Sequence, residues 1–173
     1  GIDIQENKSG LYLQKGNNPD LCVSNLKEVE LLPIQDALKK YDGTDGNLNL
    51  DDYLWKAIPA DKDKYTAETA RLKITQGYFI YARKGQKTTF PLQSCLFVDL
   101  PGMKQVVHNI IIVEEGAELD IITGCTTHKA AKKALHLGVS EFYVGKDARV
   151  SFTMVHDWQD DTYVRPRTGI ILE

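Results

Sequence analysis

Three corner segments recur at one interval, and that interval restricts the fold more than any other feature of the chain. "YARKGQKTTF" at 81–90, "IVEEGAELDI" at 112–121 and "YVGKDARVSF" at 143–152 align on their turns. The turn positions Gly85, Gly116 and Asp147 are 31 residues apart at each step (116 − 85 and 147 − 116). A strand-like run precedes each turn. After it Thr88, Leu119 and Val150 align, as do Phe90, Ile121 and Phe152. A period of roughly 20 to 50 residues signals stacked units, because one such unit cannot bury its apolar face alone. With strands in every unit, the pattern predicts a β-helix whose corners place Gly85, Gly116 and Asp147 in equivalent positions of successive layers. An antiparallel β-sandwich with evenly spaced hairpins is the alternative. The run "NIIIVE" at 109–114 returns as "TGIILE" at 168–173, and nothing follows Glu173. The expectation is a core truncated at its C-terminal end, whose exposed edge at Ile170, Ile171 and Leu172 self-associates or is covered by further chain.

Upstream the period changes. Residues 1–32 read as short N-terminal strands with turn chemistry at Asn17-Asn18-Pro19-Asp20. Residues 33–76 read as a small helical lead-in. Ile34, Ala37, Leu38 and Tyr41 have helical spacing after Pro33 and before Gly43. "DDYLWKAI" predicts a second short helix capped by Asp51 or Asp52, and 61–70 a third. Residues 77–173 form the β-helix core in this division.

The net charge of −3 argues against a general nucleic-acid binder, which carries a basic excess. No apolar run approaches the ~18 residues a membrane span needs, and "GIDIQENKSG" is not a signal peptide. Cys22, Cys95 and Cys125 are odd in number and lack a CxxC pair. That usage suits reduced thiols in a cytoplasmic compartment. Asn7-Lys8-Ser9 matches a glycosylation triplet, which without a secretory signal carries no weight. The residues around Gly145-Lys146 do not form a phosphate loop, and G-x-S-x-G and G-x-G-x-x-G are absent.

Three longer stretches carry a resemblance. "GYFIYARKGQKTTFPLQSCLFV", "HNIIIVEEGAELDIITGC" and "LHLGVSEFYVGKDARVSFTMVHDW", led by "YLWKAIPADKDKYTAETA", are similar to the SufB/SufD scaffold family of iron–sulfur cluster assembly, in the family's order and over roughly 33–173. The resemblance implies a right-handed parallel β-helix with helical material at its ends. It implies a non-catalytic scaffold, on which an iron–sulfur cluster is assembled transiently in the full-length complex. The implied partners are a SufC-type ATPase and a SufB/SufD-type dimer partner, met mostly through regions outside this chain. These motifs do not separate the SufB branch from the SufD branch.

Cys125, in "ITGCTTH", matches the cysteine of a G-C-T-A-P-like motif in SufB-type members, with Thr127-His128 in place of Ala-Pro. The match makes Cys125 the candidate sulfur acceptor or cluster-related thiol. Such a thiol must ionise to take a persulfide, and a thiolate can ligate iron. The bland reading is a small buried hydrophobe. His128 stands three residues on, a C-x-x-H spacing that could place Cys125 and His128 on one metal, although a structural zinc needs about four ligands. His136 matches a recurrent family position, yet a polar residue beside a strand more often satisfies a hydrogen bond. Cys22 and Cys95 read as structural. "HDWQDD" at 156–161 gathers Asp157, Asp160 and Asp161 beside Trp158. This suits a carbohydrate-active β-helix enzyme, or more simply a polar turn anchored by Trp158. A β-helical interaction module without cluster chemistry is the remaining alternative.

Overall fold

The computed structural model describes residues 10–26, 29–44, 48–72 and 76–173. The Asn7-Lys8-Ser9 triplet lies outside them. The described strands are β1 (Gly10–Lys15), β2 (Asn18–Ser24), β3 (Val29–Pro33), β4 (Tyr78–Ala82), β5 (Leu92–Val98), β6 (Lys104–Val113), β7 (Glu118–Thr127), β8 (Leu135–Val144), β9 (Arg149–Asp157) and β10 (Tyr163–Leu172). Helices α1 (Ile34–Lys40) and α2 (Lys64–Arg71) lie between β3 and β4. The strands form two sheets, ordered β2-β1-β5-β7-β9 and β10-β8-β6-β4-β3. From β4 onward the chain alternates between the sheets, and each strand pairs in parallel with the next strand of its own sheet. The result is a β-solenoid of about 3 turns.

The repeat reappears as hydrogen bonding. Gly85 N donates to Glu115 O at 2.9 Å, and Gly116 N to Lys146 O at 2.9 Å. Gly85, Gly116 and Asp147 have φ of +72°, +68° and +56°, so one left-handed corner is built three times. Glycine adopts this conformation freely, and aspartate tolerates it. Leu119 pairs with Val150 and Ile121 with Phe152, as the period predicts. One layer differs. Leu92 takes the place opposite Ile121, whereas Phe90 is 47% exposed. The short stretch ending at Pro91, which has no N–H for the ladder, delays the strand.

The N-terminal strands complete the same two sheets. β1 pairs in parallel with β5, and β3 antiparallel with β4. Inward side chains of both sheets form the principal core, including Tyr12, Tyr78, Ile80, Leu92, Ile111 and Ile121. The outer faces differ. On β7 burial alternates, because sheet β2-β1-β5-β7-β9 is covered on one side; on β6 nine consecutive residues are buried. The lead-in covers the outside of β4 and β6, packing Ile34, Ala37, Tyr41 and Leu50 on Phe79, Tyr81, Ile110 and Ile112.

Helix α1 follows the predicted spacing, with Ile34 and Ala37 buried. Helix α2 starts at Lys64, where Asp63 accepts hydrogen bonds from Tyr65 N and Thr66 N in a capping box. The expected helix over 51–58 is absent. A 3₁₀ turn spans Leu50–Asp52, capped by Asn49, and Trp55 has φ +61°. The backbone N–H groups that a helix would use here bind a distant carboxylate instead. Among the described residues no helix is long and apolar enough to cross a membrane.

Candidate functional site

Strand alternation sends Cys125 inward, between Leu96 and His156 of the adjoining layers. The residue is 1% exposed. Burial, with Cys95 nearby, pushes its thiol up to about 12, so it is protonated at neutral pH. Beside it lies a cavity of about 20 Å³, lined by Tyr78, Thr123, His136, Gly138 and Ser140 among others. The lining hydroxyls are tied to one another and to amides. Ser94 Oγ bonds Thr123 Oγ1 at 2.8 Å, Tyr78 Oη lies 3.2 Å from Thr123 Oγ1, and Asn109 Nδ2 donates to Ser140 Oγ at 3.1 Å.

His136 faces the same interior from β8. It is buried, and its Nδ1 lies 2.8 Å from Gln105 Oε1. Burial pushes its pKa down to about 4, with a smaller push from His156. Trp158 packs against both imidazoles, at 5.1 Å from His136 and 5.8 Å from His156. Trp158 thus anchors the turn, and the interior gathers Cys125 and His136 from neighbouring sheets, while His156, opposite Cys125 in the next layer, is exposed.

His128 is not brought to Cys125. Positions three apart on an extended chain point to opposite faces. Cys125 is inside, whereas His128 is exposed and meets Phe97 edge-on at 6.2 Å. Its Nδ1 accepts a hydrogen bond from Ala130 N. The expected Cys125–His128 metal pair therefore does not form, and among the described residues no group of three or more His, Cys, Asp or Glu is arranged to hold a metal. Cys22 donates its thiol to Leu31 O at 3.4 Å, and Cys95 is half-buried on β5. The acids at 157–161 tie turns. Asp161 Oδ2 accepts from Lys133 N at 3.1 Å, and Asp157 Oδ2 from Thr126 Oγ1 at 3.5 Å.

A second polar centre escaped the sequence reading. Glu141 of β8 is fully buried beneath the lead-in. Its Oε1 accepts from Trp55 N at 2.8 Å and lies 2.6 Å from His108 Nε2; its Oε2 accepts from Ala57 N at 2.8 Å and Ile58 N at 3.1 Å. Burial alone would raise this carboxyl. Hydrogen bonds and charge from His108, with the backbone donors, outweigh that and hold it below the usual carboxylate range. The Trp55 ring lies against His108 at 4.3 Å. The available signal was positional: Glu141 occupies the layer position of Ile110, a carboxylate where the repeat is apolar.

Residues 97–173 match the family model described as SUF system FeS cluster assembly, SufBD core domain. Over 176 aligned residues the chain is 43% identical to an iron–sulfur cluster assembly SufBD family protein of Methanothermobacter thermautotrophicus, covering 99% of this chain and 42% of that protein. It is 41% identical over 174 residues to a relative of the same description from Archaeoglobus fulgidus, covering 100% of this chain and 45% of the relative. A protein of the same description from Pyrococcus horikoshii is 28% identical over 142 residues, which are 82% of this chain and 30% of that protein. The chain therefore spans less than half the length of these curated relatives.

Proposed function

The chain belongs to the SufBD family of iron–sulfur cluster assembly proteins, and from that premise we propose that it is part of a non-catalytic scaffold whose interior thiol, Cys125, accepts sulfane sulfur. The observation that carries the proposal is that Cys125 lines a small interior cavity together with hydroxyls and His136. Such a pocket suits a sulfur atom that must be kept from bulk water and from other thiols. The iron–sulfur cluster is the cargo, completed elsewhere in the full-length assembly. ATP is hydrolysed by a SufC-type partner, and a second SufB- or SufD-type subunit completes the scaffold in the cytoplasm.

The sulfur step is a transfer between thiols. The Cys125 thiolate attacks the outer sulfur of a donor persulfide. A new S–S bond forms at Cys125, the donor's S–S bond breaks, and the donor leaves as a thiolate that takes up the proton Cys125 released. No net oxidation occurs. Because burial keeps the thiol protonated, the step requires local opening of the layer or a proton acceptor within it.

The test uses the intact protein and a small alkylating reagent, then a donor persulfide with mass spectrometry of the Cys125 peptide. The expected result is slow but measurable alkylation of Cys125, gain of one sulfur there, and loss of cluster assembly in Cys125→Ser. Labelling no faster than a fully buried control thiol, or undiminished assembly in Cys125→Ser, overturns the proposal.

A further inference from the structure

We infer that Gln105 is a positioning residue: it locks His136 as the Nδ1–H tautomer and so presents the bare Nε2 as a hydrogen-bond acceptor for the sulfur chemistry of Cys125. The inference rests on the reading of Cys125 as a sulfur acceptor, but its geometry stands independently.

The direction of the hydrogen bonds follows from groups that cannot donate. Gln105 Nε2 lies 2.7 Å from Gly16 O and 3.2 Å from Phe97 O. Carbonyl oxygens only accept, so the NH₂ end of the amide must face them. The Oε1 end then faces His136 Nδ1 at 2.8 Å, and an amide oxygen also only accepts. The proton therefore sits on Nδ1. The same carbonyl, Gly16 O, accepts from Gln14 Nε2 at 2.9 Å, and Gln14 Oε1 accepts from Tyr12 Oη at 2.7 Å. Two donor arms, Tyr12 through Gln14 and His136 through Gln105, thus converge on one backbone oxygen, Gly16 O. Reversing the tautomer would set a lone pair against the Gln105 oxygen in a buried site.

The opposite nitrogen has been given space. Gly138 lies two residues along β8, and a Cβ there would stand 2.9 Å from His136 Nε2. Gly138, His136 and Cys125 all line the cavity, whose volume of about 20 Å³ matches one water molecule. A water of that size would donate one hydrogen to Nε2 and turn the other toward Cys125, so the bare nitrogen orients a donor onto the sulfur as it becomes anionic while His136 itself stays neutral. The other buried histidine, His108, has its Nε2 committed to Glu141 and is not available for this task.

Two measurements on the intact protein test the inference. Histidine side-chain ¹⁵N NMR is expected to show a protonated Nδ1 and a bare Nε2 for His136. Gln105→Leu, which removes the acceptor, is expected to populate the Nε2–H tautomer, whereas Gln105→Glu, which retains one, keeps Nδ1–H. The second measurement is the pH profile of Cys125 alkylation by iodoacetamide. Gly138→Ala, which blocks Nε2 without touching Gln105, is expected to slow alkylation at neutral pH by about tenfold, the value of one buried hydrogen bond. A wild-type His136 protonated on Nε2, or a Gly138→Ala profile within about twofold of wild type, overturns the inference; should Gln105→Leu fail to fold, these two readings decide it. Failure of sulfur transfer with both results intact would instead remove the role of Cys125.

Discussion

Two buried histidines on neighbouring strands have opposite fates. His108 on β6 faces outward beneath the lead-in and meets a carboxylate; His136 on β8 faces inward and meets an amide. The outer pair is a clamp. Glu141 collects three backbone N–H groups from 55–58 as well as His108, and so fixes an otherwise irregular segment to the β-helix. The inner pair leaves one ring nitrogen uncommitted beside a cavity. His108 also keeps a ring nitrogen without a partner, Nδ1, but that atom is enclosed, whereas His136 Nε2 borders a cavity; access rather than satisfaction separates the two.

The sharpest way to break this contrast is Glu141→Leu. It strands His108 and three backbone donors together, and removing one partner of a buried pair costs about 3–5 kcal/mol. Urea denaturation should show that loss, with faster hydrogen exchange at Trp55, Ala57 and Ile58. A loss comparable to an ordinary surface substitution would mean that the apolar packing of the lead-in alone holds it.

The two centres also separate by pH. His136 has a pKa depressed to about 4 in the folded state, so between the unfolded value of about 6.5 and 4 the unfolded chain binds the extra proton. Stability should therefore fall by up to roughly 3 kcal/mol as pH drops through that window, and His136→Gln should flatten it. Glu141, whose folded pKa is lowered, contributes stability that is present above the unfolded carboxylate value of about 4.3 and lost as pH falls through the folded one. Its signature lies below that of His136. Equal slopes in wild type and His136→Gln from pH 6.5 to 4 would contradict the assignment.

Gly169→Ala probes the clamp from the next layer. A Cβ there would stand 2.5 Å from Ile58 Cγ1 and 2.6 Å from Ala57 O, and the backbone atom cannot step aside cheaply. A cost of about 1–3 kcal/mol is expected from thermal or urea unfolding, typical of overpacking. The smallest effect is expected at Cys125. Cys125→Ala removes one buried sulfur next to an existing cavity and should cost about 1 kcal/mol, while abolishing sulfur uptake. A much larger loss would identify Cys125 as a packing residue first.

Much of this was legible in the sequence. The interval of Gly85, Gly116 and Asp147 specified stacked corners, and the apolar pairs Leu119/Ile121 and Val150/Phe152 after them specified the apolar face of the strands that follow. Both are local properties: a left-handed corner needs particular residues, and a strand has a period of two. Three features depended on tertiary context. Phe90 matched the repeat in sequence but sits in a delayed stretch before Pro91, because register is settled by pairing with β7. The "DDYLWKAI" segment was expected as a helix capped by Asp51 or Asp52 but gave its N–H groups to Glu141, which lies more than 80 residues away in sequence. The Cys125–His128 spacing implied proximity that an extended backbone forbids.

What the sequence determined by itself was the repeating unit, its corners and the apolar face of the strands after them, because these follow from the backbone's own periodicity. Only the tertiary structure decided which outer face would be covered, which carboxylate could be buried, and which histidine would have its free nitrogen beside a cavity. Those outcomes depend on donors and acceptors that meet across layers, such as Gly16 O with Gln105 and Trp55 N with Glu141, and no local pattern encodes their encounter.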